Sequence, residues 1–146
     1  MHLSRDAKLI TGITLLLVPT IQFGGLFLLG LVTQGGAGTG PGHATLNETQ
    51  MALFRAGHAH AGVWLVMSLV VQVLLDSAKL PASLEWLARI AAPVGTIALS
   101  GGFFGLAFDP GFRFLLYGGA VAMFVAVMVT AVGLLRNLGS AAGEAT

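Results

Sequence analysis

Charged residues divide this chain into four long apolar stretches, and that division limits the fold more than any other feature. The stretches are Leu9–Val32, interrupted by Pro19 and Gln22, then Ala56–Leu75, Ile90–Phe108 and Phe114–Leu135. Each is long enough to cross a hydrocarbon core of about 30 Å as a helix, which takes roughly 20 residues. Only 9% of the residues are charged, against roughly 25% in a soluble domain. Lipid leaves helices or closed barrels as spanning structures, and nothing here alternates with period two over about ten residues. The expectation is all-α: an integral membrane four-helix bundle in which residues 1–146 form one transmembrane domain.

The first stretch is longer than the apolar core of a signal peptide, roughly 7–15 residues, so it reads as a retained helix. Arg5, Lys8, Lys79, Arg89 and Arg136 fall on the side of the N-terminus, and only Arg55 and Arg113 on the other. This bias predicts both termini in the cytoplasm, for a multi-pass protein of a bacterial-type inner membrane. Residues 33–50 form a glycine-rich outer loop, read as a flexible connection. Asp109-Pro110-Gly111 has the composition of a tight turn. Gly101-x-x-x-Gly105 reads as a helix-packing face, Gln22 as a bond between helices, and Phe103, Phe104, Phe108, Phe112 and Phe114 as packing and interface aromatics. A net charge of +1 gives no case for nucleic acid, and the absence of cysteine excludes disulfides, thiolate metal sites and iron–sulfur clusters.

At the start of the second stretch, the sequence from Arg55 to Gly62 (RAGHAHAG) places two ionisable side chains, His58 and His60, near the outer end of the span. Such groups are costly in lipid and mark function. A lone intramembrane histidine reads as a packing residue. Two beside an arginine in so charge-poor a chain read as a site. Successive helical residues lie about 100° apart, so His58 and His60 diverge by about 200°. One helix cannot close both on one ion, and each imidazole serves a different site. Gly57 and Gly62 leave room for a flat macrocycle, and Trp64 supplies a wall. No Asp, Glu or Cys lies in the spans to complete a zinc or manganese site. Imidazole in an apolar slot suits haem iron, with Arg55 and Arg113 placed to pair with propionates. His2 and His43 read as solvated.

A His-x-His pair in an outward-starting helix resembles the haem-ligand helix in the main subunit of heme-copper oxygen reductases. There, two histidines on opposite faces of one helix bind two haems near the outer side of the membrane, and twelve helices form three four-helix arcs. This chain looks like one such arc. The resemblance implies haem b, with His58 and His60 as iron ligands, and a homotrimer closing the ring with one haem between His58 of one copy and His60 of the next. It does not imply oxygen reduction: no histidine set for copper is present, and Tyr117 lies in the fourth span. The expected role is electron transfer with a redox partner or quinone. A proton or divalent-metal transporter and a non-catalytic accessory subunit are the alternatives.

Overall fold

The computed structural model describes residues 3–33 and 46–143. They form helices α1 (Arg5–Leu15), α2 (Val18–Thr33), α3 (Glu48–Leu75), α4 (Ala82–Leu106) and α5 (Arg113–Gly143), with a 3-10 turn at Pro110–Phe112. Four helical stretches are long and apolar enough to cross a membrane: Arg5–Leu31, Glu48–Leu75, Ala82–Leu106 and Pro110–Arg136. His2, His43 and most of the glycine-rich loop lie outside the described residues.

The first stretch is not one continuous helix. Pro19 lacks the N–H that would bond the Leu15 carbonyl, and its ring crowds that carbonyl, so α1 ends there. The chain tightens through Leu16 N–H to Ile13 O at 3.2 Å and Leu17 N–H to Thr14 O at 3.1 Å. The Thr20 hydroxyl then donates to Leu17 O at 2.6 Å, and α2 resumes. The helix carrying the histidines starts well before its apolar run, because Asn47 and Gln50 form a reciprocal capping box. Gln50 Nε2 also donates to the Ala107 carbonyl at 3.0 Å, which ties the start of α3 to the end of α4. Asp109 accepts from Gly111 N–H at 2.7 Å, so the acidic, proline and glycine residues make the tight turn their chemistry predicts.

The tightest packing joins α4 and α5. A Cβ at Gly102 would lie 2.6 Å from Leu116, and one at Gly95 would lie 2.8 Å from the Met123 amide. The pair Gly101 and Gly105 divides its work differently from the expected packing face. Gly105 sits against Phe112, whereas Gly101 is grazed only by Leu115 and borders a cavity. Below the seam, Val71, Leu75, Ala88, Ala92, Met123 and Ala126 form the apolar core. Burial is uneven: the third spanning stretch has 44% of its most apolar window buried, the first only 11%. Gln22 is exposed and makes no hydrogen bond to another described helix.

At the Ser4 end of the bundle lies a polar knot. Arg89 is fully buried. Its Nη2 pairs with Asp76 and, at 2.7 Å, with Glu85, and its Nη1 donates to the Gln72 carbonyl at 3.2 Å. Asp76 also accepts from the Ser4 N–H at 2.8 Å and hydroxyl at 2.7 Å, while Ser4 caps α1. Pro93, inside α4, cannot donate to the carbonyl of Arg89 four residues back. Gln72 Nε2, from α3, takes that place at 2.9 Å. A neighbouring helix thus satisfies the acceptor that proline left free. Gln72→Leu is expected to destabilise by about 1–3 kcal/mol, the cost of a buried polar group left unpaired. Pro93→Ala restores the missing N–H, so the same glutamine substitution should cost less in that background. Equal losses in both backgrounds, measured by denaturant unfolding in detergent, would refute this account.

Asp76 gives the knot a pH dependence. Burial raises its pKa, but the Ser4 N–H, the Ser4 hydroxyl and Arg89 together outweigh burial and hold it below the ordinary 3.8. A depressed folded-state pKa contributes stability above the unfolded value, and that contribution is lost as pH falls through the folded value. Thermal stability is therefore expected to hold this contribution at neutral pH and to lose it below about pH 4. Asp76→Asn should flatten that acid limb; an unchanged limb counts against the assignment.

Candidate functional site

The two histidines sit on α3 at opposite edges of its buried stripe. Gly57, Ala61, Leu65, Ser68, Val71 and Gln72 are buried along that stripe. Residues such as Val63, Val66 and Val70 face outward, with Val63 63% exposed. His58 and His60 lie where the two faces meet, each half-buried. The divergence expected from helical geometry is realised as two different surroundings.

His60 is anchored to its own helix. Its Nδ1 lies 2.8 Å from the Ala56 carbonyl. A carbonyl only accepts, so Nδ1 carries a proton, and in the neutral ring Nε2 keeps its lone pair. Anchoring one ring nitrogen to a backbone carbonyl fixes the tautomer and orientation of a metal-binding imidazole. The ring of Phe103 lies beside it, centroids 4.7 Å apart and planes tilted by 36°.

His58 faces α2 and a cavity. A Cβ at Gly25 would lie 3.1 Å from both Cε1 and Nε2 of the imidazole, and one at Gly24 would lie 3.7 Å from Nδ1. Beside the ring is a largely apolar, half-open cavity of about 340 Å³ between α2, α3 and α4, bordered by Gly24, Ala61, Ile97, Gly101 and Phe104. No hydrogen bond to His58 is formed among the described residues. Ser100, also on the lining, has a buried hydroxyl oxygen without a partner among them.

The other expected site residues divide. Gly57 is buried against Phe104, where a Cβ would approach within 2.9 Å of the ring, so its small size is needed for α3–α4 contact. Gly62 has open space where a side chain would be. Trp64 packs on the apolar core, and its carbonyl accepts from Thr96 Oγ1 at 3.1 Å, so it stands away from the cavity. Arg55 is exposed one turn from His58 and forms no ion pair with the described residues. Arg113 lies over the Phe114 ring, 4.9 Å from its centroid, at the Asp109 end of the bundle.

Sequence reasoning misses Gly24 and Gly25, which make room for His58; Phe103 and Phe104 pack as expected, each ring against a different neighbour. Consecutive aromatics on α4 point about 100° apart. One therefore meets His60 while the other lines the His58 cavity and joins Phe54, with ring centroids 5.3 Å apart. The two doublets, Gly-Gly and Phe-Phe, were the available signals. Among the described residues, no three His, Cys, Asp or Glu side chains come together as a metal-binding group.

By donor type and surroundings, the residues present could hold a large apolar cofactor with an iron centre. One imidazole has its Nδ1 anchored to a carbonyl, the other has no hydrogen-bond partner among the described residues and borders a largely apolar cavity, and Gly24 and Gly25 make room for the latter. Comparison with known family models, curated proteins and solved structures returns no match.

Proposed function

We propose that this chain is a haem b-binding membrane protein that carries electrons, with His58 and His60 as iron ligands. The observation that carries the reading is the His60 Nδ1 contact with the Ala56 carbonyl, paired with a His58 that has no hydrogen-bond partner among the described residues at the other edge of the same helix. Bound haem supplies a one-electron iron couple. His60 offers Nε2 while its Nδ1 proton stays on the backbone. His58 offers a ring nitrogen to the cavity, and Phe103 and Phe104 keep water from the two rings.

Within one chain the imidazoles face different neighbours, α2 for His58 and Phe103 of α4 for His60. That separation supports a ring of copies in which His58 of one and His60 of the next serve one iron. A homotrimer is the assembly suggested by likeness to one arc of a heme-copper oxygen reductase. The unpartnered face around Val63, Val66 and Val70 is available for such packing. Two imidazoles per iron leave no open position, which favours electron transfer with a redox partner or quinone over gas chemistry. The case for an inner-membrane location with cytoplasmic termini needs one adjustment. Arg89 is consumed in buried pairs, yet Arg5, Lys8, Lys79 and Arg136 still outnumber Arg55 and Arg113.

Protein purified in mild detergent from haem-replete cells should show a Soret band, a low-spin spectrum and a trimer's mass. Colourless protein would sink the reading. Colourless protein that conducts protons or divalent metal in liposomes, dependent on both histidines, would favour a transporter instead.

A further inference from the structure

The cavity beside His58 has a direction. Two of its exposed lining residues, Thr20 and Ile97, lie near the middle of the first spanning stretch and of α4, not at their ends. The opening is therefore sideways, between α2 and α4, toward the surface that lipid would cover. Its lining is largely apolar, with Phe104 as an aromatic wall and glycines at positions 24 and 101. The two lips differ in how firmly they are held. α4 is sealed to α5 by glycine contacts. α2 buries little: Phe23 is 72% exposed and Leu26 68%. α1 is fastened to the bundle through Ser4 and Asp76, and the break at Leu16–Leu17 separates that fastened segment from α2. A fixed lip, a lightly held lip and a break between helices form a side door.

Gly25, next to the cavity-lining Gly24, stands against the His58 ring. A methyl group there would stand 3.1 Å from two atoms of the His58 ring, tighter than ordinary contact. The bare backbone at Gly25 thus allows α2 to close on the imidazole, limiting how far the ring tilts. Gly30, on the same helix, has no described neighbour within 4 Å of where a methyl group would stand, and lacks this role.

We propose that the groove between α2 and α4 is the route by which the flat, conjugated cofactor reaches His58 from the bilayer, and that Gly25 is the residue that positions the His58 ring to receive it. The proposal rests on the haem reading. It goes further in giving the site a way in, a movable wall and a positioning residue within a single chain.

Apoprotein made in haem-deficient cells and placed in detergent can be titrated with haemin, following the Soret band over time. Ile97→Trp narrows the outer lip at a half-exposed position. It should slow uptake at least tenfold. Gly25→Val should keep the wild-type melting temperature but shift the final spectrum from low-spin toward high-spin, with Gly30→Val matching wild type in both. Uptake by Ile97→Trp at the wild-type rate overturns the route. A wild-type spectrum in Gly25→Val overturns the positioning role. Should Gly25→Val fail to fold, Ile97→Trp alone decides the route, and Gly25→Ala, with the smallest added group, decides the positioning by the same spectrum. Wild-type protein that never takes up haem overturns the haem reading and this proposal together, whereas normal wild-type uptake with indifferent variants overturns this proposal alone.

Discussion

His60→Ala is expected to remove the haem spectrum outright, and His58→Ala to convert it from six- to five-coordinate. The difference follows from how each ring is held. His60 has its Nδ1 proton committed to the Ala56 carbonyl at 2.8 Å, so little ordering remains to be done when Nε2 binds. His58 has no such tether among the described residues and relies on Gly25 and the cavity wall for its position. Losing a hydrogen-bond partner behind a metal ligand reduces affinity about 10–100-fold, and losing the ligand itself should exceed that. The readout is Soret intensity per protein and the spin-state bands of the purified variants. Low-spin spectra unchanged in both variants refute the ligand assignment.

Arg89→Leu is expected to unfold the bundle or destabilise it by roughly 3–5 kcal/mol, the range for breaking a buried ion pair by removing one partner. Asp76 and Glu85 would be left facing each other without their shared cation, and the Gln72 carbonyl would lose a donor. Arg89→Lys keeps the charge but not the planar fork that reaches Asp76, Glu85 and Gln72 together, so it should recover only part of the loss. Unfolding in detergent, followed by helical signal, measures both. Wild-type stability in Arg89→Leu would show that the knot contributes nothing.

The knot also shows where reading the sequence stops. Arg89 looks like a charge at the edge of the third apolar run, and its i, i+4 neighbour Glu85 is visible in the sequence. Gln72 and Ser4 are not local to it, and nothing near Arg89 announces that a residue seventeen positions earlier satisfies its carbonyl. The four apolar runs were legible because lipid-compatible helices need long uninterrupted stretches. The helix starts were less so, since the Asn47–Gln50 cap lies outside the hydrophobic pattern. Pro19 was visible, and its effect, a break into two helices, follows from a missing N–H. The opposition of His58 and His60 was fixed by helical pitch alone. Which helix covers each ring was not, because Gly24, Gly25 and Phe103 reach α3 from distant parts of the chain.

Uneven burial of the long helices bears on how the first helix is seated. α4 and α5 are joined by a short turn, and their glycines let the two backbones touch. The first helix precedes in the chain the residues that fasten it. Its fastening at Ser4 needs Asp76 from the end of α3, and Asp76 is itself held by Arg89, which emerges later still. The seat of the first helix is thus built from later parts of the chain, running from Arg89 through Asp76 back to Ser4.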